Sequence, residues 1–168
     1  MELKQGFSPI ANKKAKVLIL GSMPSEESFK KSEYYGNPRN YFWKIMAFLF
    51  GFDFSISYKE KIKILLENKI ALWDVVQSCE RKGSLDTNIN NKTIIENDFV
   101  SFFYKHPNIK NVYFNGAKAE AEYYKRVLPM LSKSEHKINY VRLCSTSPAM
   151  TLLSFDAKLR EWLKIKVH

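Results

Sequence analysis

The side chains of this sequence that are best suited to chemistry are neutral hydrogen-bonding groups in loops rich in serine, asparagine and proline. They are Ser22, Asn37, Asn40, Asn115, Ser145, Thr146 and Ser147, with Asp74 and Asp86 nearby. Amide and hydroxyl groups bind a neutral, hydrogen-bonding ligand or orient a water molecule, and they are weak acids and bases. Aromatic residues Tyr34, Tyr35 and Phe42 interleave with them in the stretch 21–43. Such a site could hold a flat, polar ring by its edges and its faces.

Several common catalytic motifs are missing from the sequence. It has no Walker A loop and no G-x-G-x-x-G, G-x-S-x-G or H-E-x-x-H pattern. The three histidines, His106, His136 and His168, fall in connections or at the end of the chain, where we expect solvated surface residues. Cys79 and Cys144 lack metal-ligand spacing, and we expect two reduced, buried thiols. A histidine-based triad and a zinc site are therefore poorly supported.

Length and composition predict one domain, spanning residues 1–168. Of the 168 residues, 45% are hydrophobic, which is enough for one sizeable core. The chain has no apolar run of about 18 residues, and its start, "MELKQGFSPI", lacks the apolar core of a signal peptide. We therefore expect a soluble protein of the cytoplasm that does not associate with membranes.

The net charge indicates a polyanionic partner. Lysine and arginine number 27 against 17 acidic residues, which gives a formal net charge of +10. A surplus this large on a small domain favours nucleic acid, because neutralising phosphates releases counterions. The alternative is that the lysines simply keep the surface hydrated. Aromatic residues make up 14% of the chain and offer faces on which bases could stack.

Four apolar runs rich in β-branched residues predict buried strands. They are "AKVLIL" at 15–20, "IALWDVV" at 70–76, "NVYFNG" at 111–116 and "INYVRLC" at 138–144. Segments with helical spacing of apolar residues lie at 39–51, 57–69, 115–133 and 154–167. This alternation predicts an α/β fold with a mostly parallel sheet covered by helices on both sides. The stretch 21–43 is too irregular for a helix, and 78–99 is interpreted as a surface excursion with polar tips.

The polar loops all follow predicted strands. They read "GSMPS", "QSCERKGSLD", "NGAK" and "STSPAM" in chain order. In open α/β sheets ligands bind beyond the carboxyl ends of the strands, so these loops should converge on one rim. Together with the positive charge, the rim predicts a pocket for a nucleobase drawn out of a nucleic acid.

The same segments carry a resemblance to a known family. "GSMPS…YYGNPRNYFW", "ALWDVVQSCERKGSLDTNI", "FNGAKA" and "STSPA" resemble, in this order, motifs of the uracil-DNA glycosylase superfamily. The particular match is the hypoxanthine (deoxyinosine) DNA glycosylase branch. The resemblance covers residues 15–165; a lone "STSPA" would be a weak match, whereas four ordered motifs are specific.

The resemblance implies a fold and an activity. The fold would be a three-layer α/β/α sandwich around a four-stranded parallel sheet. The activity would be that of a monofunctional glycosylase in base excision repair, which hydrolyses the N-glycosidic bond of a deaminated base without metal or cofactor. The partner would be DNA that contains such a base, and the enzyme would act as a monomer.

The resemblance also indicates catalytic residues. In uracil-specific members the first loop carries an Asp or Asn that positions the attacking water, and the matching position here is Ser22. This difference argues against ordinary uracil-removing chemistry. In the hypoxanthine branch an Asn of the Pro-Arg-Asn segment matters, and it corresponds to Asn40. We expect Asn40 to orient the water or to contact the sugar and base, although an asparagine ahead of "YFWKIM" is also a common helix cap.

Other residues of the rim are expected to hold the base. Ser22 and the backbone of "GSMPS" would line the pocket, through Gly21, Met23 and Pro24. Tyr35 would stack on the flipped base, or it could pack on its own loop. Asn115 would read the base edge, or it could cap the turn into the next helix. Phe42 and Trp43 have the spacing of core residues.

The "STSPAM" loop, with Ser145, Thr146, Ser147, Pro148 and Met150, is expected to contact DNA. Its serines would bond phosphates, and Met150 would fill the gap that the base leaves. The alternative is a proline turn with Met150 tucked under it.

Charged residues near the rim have two interpretations each. Arg39, Arg81 and Lys82 are candidate phosphate contacts or solvated surface charges. Asp74 and Asp86 could bind pocket water or fix the loop, and a structural carboxylate that caps backbone amides is the simpler interpretation.

Three alternatives to a deoxyinosine glycosylase stay open from the sequence. Uracil or xanthine could be the substrate, the chain could be a non-catalytic DNA-binding domain of this fold, or it could be a small-molecule-binding α/β domain. Only the last predicts DNA binding that is weak and insensitive to salt.

Overall fold

The computed structural model describes residues 2–131 and 137–167 and contains a parallel sheet and a smaller antiparallel sheet. The strands are β1 (Glu2–Gln5), β2 (Val17–Gly21), β3 (Ile70–Asp74), β4 (Val76–Arg81), β5 (Ile95–Glu96), β6 (Asn111–Asn115) and β7 (Asn139–Leu143). The α-helices are α1 (Glu26–Lys31), α2 (Phe42–Phe50), α3 (Tyr58–Glu67), α4 (Phe99–Lys105), α5 (Ala117–Glu122) and α6 (Phe155–Trp162).

The four strands predicted from the apolar runs form the parallel sheet, in the order β3-β2-β6-β7. Every residue of β2 and β3 is buried, as continuous apolar runs require. Strand β7 lies at the edge and buries only Leu143, so the expectation of two buried faces is wrong for this strand. Helices cover both sides of the sheet, which confirms the predicted three-layer α/β fold.

The register brings the last residues of the strands to one edge. Gly21 at the end of β2 pairs with Asp74 at the end of β3, and Asn115 pairs with Leu143. The loops that follow these strands therefore start side by side, as predicted for a ligand-binding rim.

Local signals account for the helices that were predicted. Helix α3 begins with a capping box between Ser57 and Glu60, and α2 ends at Gly51, whose φ of 68° suits a residue without a side chain. The predicted helix at 115–133 is α5 followed by a π-helical turn, Tyr123–Val127, and a short 3-10 turn, Leu128–Met130. Its last two residues lie outside the described part of the chain.

Helix α1 corrects the expectation that the stretch 21–43 holds no helix. Ser25 caps it by accepting a hydrogen bond from the Ser28 amide, and acidic residues occupy its first turn and lysines its last. Helix α1 has only six residues, so it fits between Pro24 and Gly36 of this stretch.

The segment 78–99 is only partly the surface excursion that the sequence suggested. Strand β4 pairs antiparallel with the N-terminal β1 on one side and with β5 on the other. This small sheet buries Cys79 and Arg81. Both cysteines are free as predicted, although Cys144 is half-buried rather than buried.

None of the helices in the described part of the chain has the length and apolarity that crossing a lipid bilayer requires.

Candidate functional site

A cavity of about 330 Å³ lies at the carboxyl edge of the parallel sheet. Its walls come from the loops after β2, β4 and β7, from the last residues of β3 and β6, and from the segment that leads into α2. Sites for small ligands range from roughly 300 to 1,000 Å³, so this cavity suits a ligand the size of one nucleobase. The predicted convergence of the polar loops on one rim is therefore present in the structure.

Most of the residues predicted for the site line this cavity. They are Gly21, Ser22, Met23, Pro24, Tyr35, Asn40, Asn115, Ser145, Thr146, Ser147 and Met150. Arg39, Lys82 and Pro148 lie outside the lining, and the first two are exposed. Arg81 is not brought to the cavity surface either.

Ser22 joins two walls of the cavity. Its hydroxyl donates a hydrogen bond of 2.6 Å to the carboxylate of Asp86, which belongs to the loop after β4. The amide of Glu26 donates to the Ser84 hydroxyl at 2.8 Å in the same region. The loop 84–87 is thereby fastened across the first loop, and the Ser22 hydroxyl proton is directed away from the rest of the cavity.

Asn40 bonds the first amide of α2 and lines the cavity at the same time, although the cap position itself is Tyr41. Its Oδ1 accepts a hydrogen bond of 2.9 Å from the amide of Phe42, the first residue of α2. No described residue accepts a hydrogen bond from its Nδ2 group. A role at the start of α2 and a functional role are therefore compatible, because the bond to Phe42 holds the side chain while leaving an amide donor at the cavity.

Tyr35 lies against the core on one face and borders the cavity. Its ring stacks on Phe42 with centroids 3.9 Å apart and planes inclined by 21°. Phe42 and Trp43 are buried core residues, as their spacing predicted. Tyr35 has a φ of 56°, which is uncommon for an aromatic residue, and its buried hydroxyl has no hydrogen-bond partner among the described residues. Strained backbone of this kind concentrates at functional sites.

Asn115 and Thr146 form a reciprocal pair of hydrogen bonds. The Asn115 Nδ2 donates to the Thr146 hydroxyl at 2.8 Å, and the Thr146 amide donates to the Asn115 Oδ1 at 2.9 Å. Asn115 does not cap α5, because the cap position is Gly116 and no side chain bonds there. Instead it fastens the loop after β7 to the end of β6. Thr146 is 0% exposed, so the prediction that it contacts DNA directly is wrong.

A buried lysine supports the same loop from below. Lys158 of α6 is buried, and its Nζ donates to the carbonyl of Met150 at 2.8 Å and to that of Ser147 at 3.5 Å. Met150 is half-buried against the cavity, whereas Leu152 is 86% exposed just beyond it. Neither Lys158 nor Leu152 was predicted from the sequence as part of the site. Leu152 could have been noticed as an apolar residue between a proline turn and a helix cap.

Arg81 has a structural role, which corrects its prediction as a phosphate contact. Its side chain is 0% exposed, and one guanidinium nitrogen donates to the Pro24 carbonyl of the first loop. The inward direction follows from the alternation along β4, which turns Lys82 outward. Arg81 therefore holds the first loop in place.

Asp74 is a buried carboxyl group in the cavity wall. Its Oδ2 has no hydrogen-bond partner, and its own backbone carbonyl, not its carboxylate, accepts the bond from Asn97. Burial raises the pKa of Asp74 to about 7; the negative charge of Asp86 adds to this rise and Arg81 opposes it. The interpretation of Asp74 as a carboxylate that caps backbone amides is wrong.

The histidines contribute nothing to this cavity in the part of the chain that is described. His106 is half-buried at the end of α4, and its Nδ1 lies 2.8 Å from the Phe102 carbonyl, so the expectation of a solvated residue is wrong here. His136 and His168 lie outside the described residues. Within 2–131 and 137–167 no three His, Cys, Asp or Glu residues are grouped as metal ligands would be.

Comparison with known proteins identifies relatives along most of the chain. Residues 8–166 match the family described as the Uracil DNA glycosylase superfamily. The chain is 42% identical over 117 residues to a protein of Methanosarcina barkeri (strain Fusaro / DSM 804) named "Hypoxanthine DNA glycosylase", with 69% of this chain and 73% of the relative covered. A Methanosarcina acetivorans protein of the same name is 40% identical over 118 residues, covering 70% and 73%.

A solved structure also resembles this one throughout. It is a solution NMR structure of a Methanosarcina acetivorans protein assigned to the uracil DNA glycosylases. The two superpose with a TM-score of 0.79 at 34% identity, over 98% of this chain and 96% of the other.

Proposed function

The chain belongs to the uracil DNA glycosylase superfamily, and from this premise we propose that it is a DNA glycosylase that releases hypoxanthine from deoxyinosine in DNA. Both curated relatives carry the name of this activity at 40% identity or more. The reaction hydrolyses the N-glycosidic bond and leaves an abasic site, the first step of base excision repair.

The observation that carries this proposal is the cavity at the carboxyl edge of the sheet. It has room for one base, and its wall combines a stacked tyrosine with hydroxyl and amide groups. A base inside a duplex cannot reach such a cavity unless its nucleotide rotates out of the stack. The net charge of +10 favours the DNA that would deliver it.

The residues around the cavity support a mechanism that needs no strong base. As the bond to the base breaks, the sugar takes on the character of an oxocarbenium cation, so the attacking water needs orientation more than deprotonation. We assign this orientation to the free amide group of Asn40, whose bond to Phe42 fixes its position. Preorganised dipoles of this kind lower the barrier without having to reorganise during the reaction.

Base binding is assigned to the walls on either side of the cavity. The backbone of Gly21, Met23 and Pro24, with Ser22, would form one wall. Tyr35, backed by Phe42, would present its ring to the base, and Asn115 would act from the opposite side through the loop it fastens.

DNA binding is assigned to the loop 145–150 and to exposed cations near it. Ser145 and Ser147 would bond the phosphates that flank the rotated nucleotide, with Pro148 shaping the turn. Arg39 and Lys82 are exposed and free to meet phosphates farther along the strand. An apolar side chain, Met150 or Leu152, would occupy the gap in the duplex. We further propose that the protein acts as a monomer in the cytoplasm.

A release assay on oligonucleotides with a single lesion tests this function. Hypoxanthine, uracil and xanthine would each be placed in single- and double-stranded DNA, and strand cleavage at the abasic site would be measured after alkali. We expect hypoxanthine to be released fastest. Faster release of uracil or xanthine would show that another deaminated base is the preferred substrate. No release above a no-protein control would contradict glycosylase activity.

A further inference from the structure

The cavity wall holds two carboxyl groups, Asp74 and Asp86, among neutral polar groups. Asp86 accepts a hydrogen bond from the Ser22 hydroxyl, whereas Asp74 is less fully engaged. Asp74 ends β3 directly beside Gly21 of β2, lines the cavity and is only 4% exposed. One of its carboxyl oxygens, Oδ2, has no hydrogen-bond partner in the described structure. A buried polar atom without a partner is rare in folded proteins and calls for an explanation.

No structural role accounts for this carboxyl group. It caps no helix and forms no ion pair with the described cations. The guanidinium group of Arg81 donates to the Pro24 carbonyl through one nitrogen, and its Nε and Nη1 have no hydrogen-bond partner among the described residues. Burial and the charge of Asp86 favour the protonated form of this carboxyl group, which is an O–H donor rather than an anion, and the charge of Arg81 opposes them only in part.

The glycine beside Asp74 leaves room for this group at the cavity. A Cβ atom on Gly21 would stand 2.4 Å from the Asp74 Oδ1 and 3.3 Å from the Tyr35 hydroxyl oxygen. Any other residue at position 21 would therefore push the carboxyl group out of its place. The absence of a side chain at position 21 therefore lets the Asp74 carboxyl group occupy its place in the cavity wall.

A proton donor makes a purine a better leaving group. As the bond between N9 and C1′ breaks, its electron pair passes to the base, and protonation of the ring nitrogen N7 would make the leaving group neutral. The hydroxyl and amide groups of the cavity can bond to the base but do not release protons near neutral pH.

We infer that Asp74 is a further catalytic residue, the general acid that protonates N7 of the leaving purine. This inference rests on the function proposed above. The carboxyl proton moves to N7 while the N9–C1′ bond breaks and its electron pair enters the imidazole ring. Water then adds to C1′, and the proton that it loses returns to the Asp74 carboxylate. The products are neutral hypoxanthine, an abasic sugar with a hydroxyl group at C1′, and the regenerated enzyme.

A general acid at Asp74 would distinguish purine substrates from pyrimidines. Hypoxanthine and xanthine both carry N7, whereas uracil has no equivalent nitrogen. Asp74 can therefore assist only purines, and uracil would leave without this help.

A cycle that combines an enzyme variant with a substrate analogue tests the inference. Single-turnover release would be measured for the parent and for Asp74→Asn, on DNA with deoxyinosine and with 7-deaza-deoxyinosine, which has a C–H group in place of N7. General acids contribute roughly 10²- to 10⁴-fold. We expect Asp74→Asn to lower release of hypoxanthine by about 10²-fold or more, and the parent to lose a similar factor on the analogue. On the analogue, Asp74→Asn should release the base almost as fast as the parent does, because the analogue already lacks the N7 atom that Asp74 would protonate.

The pH profile gives a second readout. Parent activity should fall as pH rises through about 7, whereas Asp74→Asn should show no such fall. Asp86 and Arg81 act on this carboxyl group in opposite directions, and the neighbouring Tyr34 and Tyr35 stay protonated because burial raises their pKa values. Asp98→Asn is the matched control: Asp98 caps α4 and does not line the cavity, and asparagine caps equally well, so rate and profile should match the parent.

The general-acid role would be overturned if the losses caused by Asp74→Asn and by the analogue multiplied, since they would then be independent. It would also be overturned if Asp74→Asn kept the parent's rate and pH profile. Folding of the variant is checked by its thermal unfolding. If it does not fold, the parent alone decides the matter through its rate on the 7-deaza analogue and its pH profile. A parent protein that releases no hypoxanthine at any pH contradicts the proposed function itself, which distinguishes the two failures.

Discussion

Asn115 and Thr146 hold the end of β6 and the loop after β7 together through two hydrogen bonds, one in each direction. Both partners line the cavity, and the pair is the direct link between these two walls. The carbonyl of Thr146 also accepts a hydrogen bond from the Tyr41 amide at 3.0 Å, which extends the link to the start of α2. The shape of the site therefore depends on the half-buried amide of Asn115 and the buried hydroxyl of Thr146.

Thr146→Val should damage both stability and activity. The substitution keeps the volume and the backbone amide but removes the acceptor of the Asn115 Nδ2, and an unsatisfied buried donor costs about 1–3 kcal/mol. We expect a loss of that size in the free energy of unfolding, measured by denaturant titration, together with slower release of hypoxanthine.

Asn115→Ala and the double variant complete a cycle around this pair. Because the two residues share both bonds, their effects on stability should be strongly non-additive. Additive losses would show that the two residues act separately and that Asn115 has its main role elsewhere in the site.

Substitution of Asn40 can separate its two roles. Asn40→Ala removes the side-chain acceptor of the first amide of α2 and should cost about 1 kcal/mol of stability. It should also slow release by roughly 10²- to 10³-fold, as expected when a preorganised polar group is lost from an active site. Unfolding experiments and single-turnover release on the same preparation would measure both effects.

Asn40→Ser is the matched control. Serine caps a helix about as well as asparagine, so stability should return to the parent value, but its short hydroxyl group lacks the amide donor. A serine variant with parent activity would reduce Asn40 to a helix cap and remove it from catalysis.

The parallel sheet and its rim could be predicted from the sequence because local patterns determine them. Continuous apolar runs mark β2, β3 and β6 as buried strands, and their last residues then fall at one edge whatever the rest of the chain does. Asn115 and the loop 145–150 could therefore be assigned to the cavity by counting along the chain.

What the sequence did not predict depends on contacts between distant segments. Arg81 is buried because β4 pairs with residues 2–5, more than 70 positions away, and that pairing leaves no local signal. The missing partner of Asp74 is likewise a property of the packed structure. Helix α1 is different, because the Ser25 cap and the charges at its two ends are local signals that predict a helix. The glycine and proline residues on either side favoured an irregular loop, and for that reason the helix was not predicted.

Leu152 should matter for duplex DNA only. It is 86% exposed, next to the loop that borders the cavity, so its truncation to alanine should leave stability within about 0.5 kcal/mol of the parent. Loss of an apolar wedge removes compensation for unstacking, and we expect release from duplex DNA to fall about tenfold while release from single strands is retained. Parallel assays on both substrates would measure this ratio.

Two further variants serve as comparisons for Leu152→Ala in the same pair of assays. Met150→Ala tests the residue that the sequence favoured, which is half-buried and lines the cavity. Tyr104→Ala removes an equally exposed apolar side chain on α4, outside the cavity lining, and should change neither substrate. If only Met150→Ala shows the selective loss, the wedge is Met150; if neither does, the duplex is opened by other means.

Asp86→Asn should shift the pH profile of the reaction. The negative charge of Asp86 is one of the causes that raise the pKa of Asp74, so its removal should lower that pKa. The fall in activity with rising pH would then begin at a lower pH than in the parent. A series of single-turnover rates from about pH 5 to about pH 9 would locate the two midpoints, and a shift to higher pH would contradict the coupling between the two carboxyl groups.

Asp74 should also make stability depend on pH in a direction opposite to that of most carboxyl groups. Its pKa is raised from the ordinary 3.8 to about 7 in the folded protein, so the folded state binds the proton more tightly than the unfolded state does. Stability is therefore lost as pH rises from about 4 to about 7 and is constant above that. Asp74→Asn cannot titrate, so its stability relative to the parent should rise over this interval, by on the order of 4 kcal/mol between about pH 4 and about pH 8.

Denaturant unfolding of both proteins at several pH values would measure this difference, in which the contributions of all other titrating groups cancel. Asp98→Asn provides a control of opposite sign, because hydrogen bonds from Ser101 hold the pKa of Asp98 below its usual value and its stabilisation is present only at higher pH. A parent and an Asp74→Asn protein whose stabilities run parallel from pH 4 to pH 8 would mean that the Asp74 carboxyl group ionises normally. It would then be unable to carry the proton that the leaving purine needs.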